Sequence, residues 1–338
     1  MQVLKPNEIK SLEQICQLSQ KSLMSVMKKL LSKYFTSTIY TQDYLIGVGD
    51  IPVAIVAHMD TVFPKSPTDI FYDKQKNVMW SPTGAGFDDR AGVYAIIRLL
   101  SKGYKPTIIL TTDEERGALG AEKLIKDFPQ PTMELKYIIE LDRRGSTDCV
   151  FYECANLKFE DYIESFGFVT NWGTFSDISV ICPAWKIAGV NLSIGYENEH
   201  STSEHLFVGH MLATIQKVEK ILNDINNVKP FKYIPDVWAG QRYQWDSLYG
   251  ISKEDWDSWH NTEQCIYCGY KDVEYNMIPV KSDSSQTTLF VCPECASASE
   301  NIGWCPCCGE AFFDIDNNGN CEKLCTDCEA KKIVNFNK

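Results

Sequence analysis

A formal net charge of −12 over 338 residues argues against general affinity for nucleic acid, whose phosphates require a basic surface. No stretch approaches the roughly 18 consecutive apolar residues of a membrane-spanning helix, and the N-terminal MQVLKPNEIKSLEQ lacks the basic-then-apolar order of a secretory signal, so a cytoplasmic location and no membrane partner are expected. An apolar fraction of 44% with 12% aromatics suits one large domain with a sizeable core and something smaller beside it.

Residues 7–34 read as one or two amphipathic helices, with Ile9, Leu12, Ile15 and Cys16 on one apolar stripe and Leu23, Met27, Leu30 and Leu31 on another. From residue 51 short apolar strands alternate with helices. IPVAIVAH (51–58) has the pattern of a buried strand, and DRAGVYAIIRLLSKG (89–103) that of a helix closed by Gly103. A strand over 107–115, a helix over 118–128 and strands over 137–142 and 187–195 follow, and 203–225 has the length and period of one long helix. This alternation implies an α/β fold, a mainly parallel mixed sheet sandwiched by helices, over residues 1–228. Residues 229–262, with four tryptophans and two prolines, read as an aromatic-rich linker packed on the domain before it.

Acidic and histidine residues recur where the strands end. His58 and Asp60 lie in AHMDTV, Asp88 and Asp89 in GAGFDDRAG, Glu114 and Glu115 in TTDEERG, Asp142 in ELD, and His200 in YENEHSTSEH. The carboxyl ends of the strands form the ligand crevice of an open α/β sheet, so separate loops can bring these side chains to one point. Each motif alone is commonplace, since paired acids are usually a solvated loop. Their succession, each at a strand end or a helix start, is what points to a metal site.

Taken as a set, these motifs resemble the clan of co-catalytic dizinc exopeptidases, which includes bacterial leucyl aminopeptidases, peptidase T and the acyl-amino-acid hydrolases; the resemblance covers about residues 40–226. It implies a metallopeptidase in which His58 and Asp142 bind one catalytic metal, Glu115 and His200 the other, and Asp88 bridges the two. The same resemblance makes Glu114 the general base, has Asp60 orient His58, and places a cis peptide between Asp88 and Asp89. Nitrogen and oxygen ligands with an open position suit catalytic zinc, with cobalt or manganese as substitutes. A non-ligand carboxylate must then take the proton of the attacking water and pass it to the leaving amine, which fits Glu114. Only 57 residues separate Asp142 from His200 and only 29 separate His58 from Asp88, too few for the inserted domains of peptidase T or of the self-compartmentalising aminopeptidases. The expected protein is therefore a lid-less aminopeptidase acting on a peptide or small amide. An N-acyl-amino-acid deacylase or carboxypeptidase-like amidohydrolase uses the same metals. A zinc-ribbon adaptor with a vestigial hydrolase fold is the third reading, and the complete ligand set with Glu114 present argues against it.

Of 14 cysteines, ten crowd into residues 265–328. Cys265, Cys268, Cys292 and Cys295 form CxxC-x23-CxxC, and Cys305, Cys308, Cys325 and Cys328 form CxxC-x16-CxxC. In a reducing compartment such pairs mean metal, so two zinc ribbons are expected, over 263–298 and 299–338, each holding one structural zinc; Cys307 and Cys321 are left over. From Lys229 to Lys338 there are 10 Lys and Arg against 17 Asp and Glu, a formal −7. That balance disfavours phosphate binding and points the tail toward a protein partner or self-association.

Overall fold

The computed structural model describes residues 3–131 and 133–235, together with tail residues 262–264, 271–273, 278–281, 288–291, 302–304 and 311–313. The chain divides into two units, Met1–Ala239 and Gly240–Lys338.

In the first unit the expected N-terminal helical region is two helices, α1 (Pro6–Gln17) and α2 (Gln20–Tyr34). Leu18 and Ser19 between them are extended, and the Ser19 hydroxyl accepts the Ser22 N–H to start the second helix. Strands β1 (Thr38–Tyr40), β2 (Tyr44–Gly47) and β3 (Ile51–His58) follow, then the short β4 (Phe71–Asp73) and β5 (Val78–Trp80) and helix α3 (Phe87–Ser101). Next come β6 (Pro106–Thr111), a single 3₁₀ turn at Glu114–Arg116, α4 (Leu119–Asp127), β7 (Tyr137–Arg143), β8 (Asp148–Val150), α5 (Leu157–Glu164), β9 (Val169–Thr170) and α6 (Asp177–Trp185). The unit closes with β10 (Gly189–Ser193), β11 (Tyr196–Glu197), β12 (His205–Phe207) and α7 (Val208–Asn223).

The main sheet runs β1-β2-β6-β3-β7-β10-β8-β9. Its centre, β6-β3-β7-β10, is parallel throughout, whereas β2 joins β6 and β8 joins β10 antiparallel. Side chains alternate between two cores with the period of two that a strand imposes. Val53, Ile55 and Ala57 of β3 face one core with Leu12, Leu31, Leu99 and Ile221; Ala54 and Val56 face the other with Leu124, Ile178 and Trp185. Helices therefore cover both faces, and the central strands point their carboxyl ends in one direction. A small antiparallel sheet, β11-β12-β5-β4, stands beside the first. It accounts for the one displaced element: the expected helix over 203–225 begins only at Val208, because His205, Leu206 and Phe207 pair with Trp80, Met79 and Val78. Among the described residues no helix is long and apolar enough to cross a membrane.

Helix α3 lies so close to β7 that a Cβ on Gly92 would sit on the Leu141 carbonyl oxygen and the Asp89 carboxylate. Alanine gains about 1 kcal/mol of helix propensity there, but overpacking against backbone costs about 1–3 kcal/mol. Gly92→Ala is therefore expected to lower the melting temperature by several degrees, and an unchanged or higher value would show that the helix can shift away.

Residues 229–235, read from sequence as the start of the linker, run against this unit. Phe231 packs with Tyr137, Phe159 and Tyr162, while Lys232 bridges to Ile187 and Pro235 to Cys154. In the second unit β13 (Thr262–Gln264) pairs with β14 (Lys271–Val273), and β15 (Ile278–Lys281), β16 (Thr288–Val291), β17 (Ile302–Trp304) and β18 (Ala311–Phe313) form one sheet in the order β16-β15-β18-β17. Strands from both expected ribbons thus share a sheet, through the parallel pair β15 and β18. The eight cysteines expected to bind zinc and the aromatic run from Trp238 to Trp259 lie outside the described residues.

Candidate metal centre

The seven residues given a role by the resemblance, His58, Asp60, Asp88, Glu114, Glu115, Asp142 and His200, meet at the carboxyl ends of β3, β6 and β7. His58 is the last residue of β3 and fully buried. Its Nδ1 lies 3.2 Å from Asp60 Oδ1. A carboxylate only accepts, so this contact keeps a proton on Nδ1, and Nε2, which also faces carboxylates, is the nitrogen that can exchange its proton for a metal ion. That Nε2 lies 3.1 Å from Asp88 Oδ1, 3.4 Å from Asp142 Oδ1 and 4.0 Å from Glu114 Oε2. On the other side His200 Nε2 lies 3.1 Å from Asp88 Oδ2 and 2.9 Å from Glu115 Oε2. Asp88 thus offers one carboxylate oxygen to each imidazole.

Local backbone sets these positions. Asp60 accepts the N–H groups of Glu114 and Glu115, each at 3.1 Å, so one carboxylate holds both His58 and the 3₁₀ turn that carries the paired glutamates. Asp113 before that turn is left-handed at φ 55°, and His200 is left-handed at φ 61°. Such conformations cost on the order of 1 kcal/mol or more for a side-chain-bearing residue and persist where surroundings over-determine them. The peptide bond between Asp88 and Asp89 is cis.

The charges are unbalanced. Asp60, Asp88, Glu114, Glu115 and Asp142 surround two imidazoles. Burial pushes Glu114 up to about 9, and burial with the Asp88 charge pushes Asp142 up to about 8. Hydrogen bonds to Asp88 and Glu115 lift His200 to about 11. The facing Asp142 carboxylate raises His58 well above its ordinary value, although burial opposes it. Burial acts against ionisation of Asp60 and Asp88 too, yet their hydrogen bonds to the imidazoles draw both below the usual carboxylate range. Crowded carboxylates that keep protons on one another and on two imidazoles form a donor set in which divalent cations can replace the protons. Two overlapping sets of donor atoms come within 4.8 Å of one another: His58 with Glu114 and Asp142, and His58 with Asp88 and Glu115. These sets include Glu114 and omit His200, unlike the division implied by the motifs. Glu114 Oε2 lies 4.0 Å from His58 Nε2, farther than the Asp88 and Asp142 oxygens, and Glu115 Oε2 lies 2.9 Å from His200 Nε2.

Sequence patterns miss the residues that hold this shell. Asn191 on β10 accepts the Asp142 N–H at 2.9 Å and donates to the Asp142 carbonyl at 3.1 Å, with the Tyr152 and Ser176 hydroxyls also within reach of its amide. The Tyr196 hydroxyl donates to Asp142 Oδ1 at 3.1 Å. Glu140 and Asp177 are fully buried nearby, held by the Ser176 and Thr111 hydroxyls. Glu204, also fully buried, accepts backbone N–H groups of the segment leading to Asp88. None carries a local signal, because each acts on backbone or side chains distant in sequence. Asn191→Ala strands both polar groups of the Asp142 peptide, and each buried orphan costs about 1–3 kcal/mol. Denaturant unfolding is expected to register that loss; an unchanged unfolding free energy would mean that water replaces the amide.

No protein-family model matches the sequence, and a search of curated proteins returns no match. Solved structures do match. A tripeptidase from Staphylococcus aureus aligns at 12% identity with a TM-score of 0.55, covering 67% of this chain and 100% of that one. A TET aminopeptidase from a marine sediment archaeon, Thaumarchaeota archaeon SCGC AB-539-E09, aligns at 10% identity with a TM-score of 0.50, covering 65% and 99%. With its helix-flanked mixed sheet and this order of strands, the chain has the fold of these peptidases.

Proposed function

We propose that the protein is a metal-dependent aminopeptidase with two catalytic metal ions. The observation that carries this reading is Asp88, whose two oxygens each lie 3.1 Å from a different imidazole, the arrangement a bridging carboxylate requires. His58 and Asp142 would hold one ion, Glu115 and His200 the other, and Asp88 would serve both; zinc fits this nitrogen and oxygen set, with cobalt or manganese as substitutes. When bound, the ions supply Lewis acidity to a carbonyl and make a water acidic near neutral pH.

The chain's own residues do the rest. Glu114 takes the proton of the water that adds to the scissile carbonyl carbon, then delivers it to the amide nitrogen as the carbon–nitrogen bond breaks. Asp60 keeps the His58 tautomer and the Glu114–Glu115 turn in register. His58 and Asp142 are almost wholly buried, at 0% and 8% side-chain exposure, which strengthens the charge interaction between them. The two matching structures are named for removing residues from peptides, and the short spacing between ligands leaves the crevice without an inserted lid. The four CxxC pairs of the tail complete the reading as two structural zinc sites, so protein purified without chelator is expected to hold about four metal ions per chain by elemental analysis.

A substrate panel tests the reaction. Peptides with a free N-terminal amine are expected to be cleaved at the first bond at least about 100-fold faster than their N-acylated forms. Preference for the N-acyl series would make the protein a deacylase, and preference for a free carboxylate with release from the C-terminal end would make it a carboxypeptidase.

A further inference from the structure

Four residues after His200 in the chain, Glu204 is buried to 0% exposure, and among the described residues no lysine or arginine is bonded to it. A buried carboxylate is costly unless hydrogen bonds compensate it, and here they come from one short segment. Its Oε2 accepts the N–H groups of Ala85 at 3.1 Å and Gly86 at 2.6 Å, and its Oε1 accepts that of Asp88 at 3.0 Å. Gly84 and Gly86 are both left-handed, at φ 82° and 67°, which turns successive amides toward one point. Asp88 and Asp89 interrupt the helical backbone at the start of α3, and Asp89 Oδ1 caps the regular helix beyond them by accepting the Gly92 N–H at 2.8 Å. Glu204, 118 residues from Gly86, therefore supplies the acceptor for amides that lie ahead of that cap.

Capping alone does not account for its place. The loop that carries Glu204 also carries His200, whose Nε2 meets Asp88 Oδ2, and the loop is closed on itself by the Glu204 N–H to the Ser201 carbonyl at 3.1 Å. One loop thus grips Asp88 twice, by its backbone through Glu204 and by its carboxylate through His200. A carboxylate that must present one oxygen to each of two metal sites tolerates little rotation of its backbone.

We propose that Glu204 is a positioning residue for the dinuclear centre: it fixes the backbone of Asp88 so that both carboxylate oxygens are presented to the two metal sites. The inference rests on the two-metal reading above. Manganese is the probe, because its preference for oxygen and nitrogen donors keeps it from the thiolates of the tail. Titrated into the full-length protein and followed by the electron paramagnetic resonance of free Mn²⁺, two ions are expected to bind per wild-type chain and to give an exchange-coupled spectrum. Glu204→Gln keeps the shape but turns an amide NH₂ toward backbone N–H groups. It is expected to bind both ions about 10–100-fold more weakly and to lose the coupled spectrum. Leu206→Ala, which opens a buried hole on β12, is the comparison: it is expected to lower the melting temperature and leave Mn²⁺ affinity unchanged. Wild-type affinity in Glu204→Gln, or equal weakening in Leu206→Ala, overturns the proposal. Should Glu204→Gln not fold, Glu204→Asp, with its shorter reach, carries the same expectation; failure of both to fold assigns Glu204 to the fold alone and overturns the positioning role. A wild-type chain that binds no pair of Mn²⁺ ions would overturn the two-metal reading itself, which separates the two failures.

Discussion

Glu114→Gln is expected to lower kcat by about 10²–10⁴-fold while both catalytic metal ions stay bound, the range in which a positioned proton carrier contributes. Glutamine has the same shape and keeps the backbone N–H that Asp60 accepts, so the substitution removes the proton acceptor and little else. Glu114 lies 4.0 Å from His58 Nε2, farther than Asp88 and Asp142, and its side chain keeps 11% exposure. A base that meets both water and the leaving amine needs that partial access. Burial already pushes its carboxyl up to about 9 without metal, and nearby dications draw such a value down toward the working pH. Steady-state rates on the best peptide of the panel, paired with elemental analysis, decide the matter. Retained turnover would move the base elsewhere, and loss of metal together with rate would make Glu114 a ligand. His58→Ala and Asp142→Ala, by contrast, are expected to lose metal and activity together.

Removing the metal should destabilise the protein, and more so as the pH rises. In the folded, metal-free chain Asp142 is lifted from 3.8 to about 8 and Glu114 from 4.5 to about 9. The folded state therefore holds protons between pH 4 and 9 that the unfolded chain has released, and stability falls as pH climbs through that window. His58 and His200, also raised, act in the same direction: what they contribute is complete below their unfolded value of 6.5 and is lost on the way to their folded values. Asp60 and Asp88 are lowered, so their contribution is lost only on acidification below the ordinary carboxylate range. Divalent ions replace the protons. At a thousandfold excess over Kd, binding adds about 4 kcal/mol, which corresponds to a rise in melting temperature of order 10 °C for a domain of this size. Thermal melts of chelator-treated protein with and without Mn²⁺, at pH 5.5 and 8.5, are expected to show the larger rescue at the higher pH. Equal melting temperatures with and without the ion at pH 8.5 would sink the two-metal reading.

Much of this protein is legible in one dimension because the relevant physics is local. The apolar run 51–58 can only be a buried strand, and it is β3 to the residue. The pattern over 7–34 left one or two helices open; the structure has two, the second started by the Ser19 cap. His58, Asp88, Glu114, Glu115, Asp142 and His200 stand out because strands of a parallel sheet end on the same side, so polar residues at those ends share a crevice. The long helix over 203–225 loses its first residues to β12, whose pairing with β5 lies more than 120 positions back and leaves no trace in local periodicity. Asn191 looks like any polar residue in a strand, yet it closes both hydrogen bonds of the Asp142 peptide. Glu204 looks like a surface glutamate and is wholly buried against the Ala85–Asp88 amides. The sequence by itself determined the α/β alternation and the residues able to carry metal chemistry, since propensity, period and donor type are properties of single segments. Which oxygen faces which imidazole, and what holds it there, was decided only by the tertiary structure, because a hydrogen bond between distant segments exists only once the chain has brought them together.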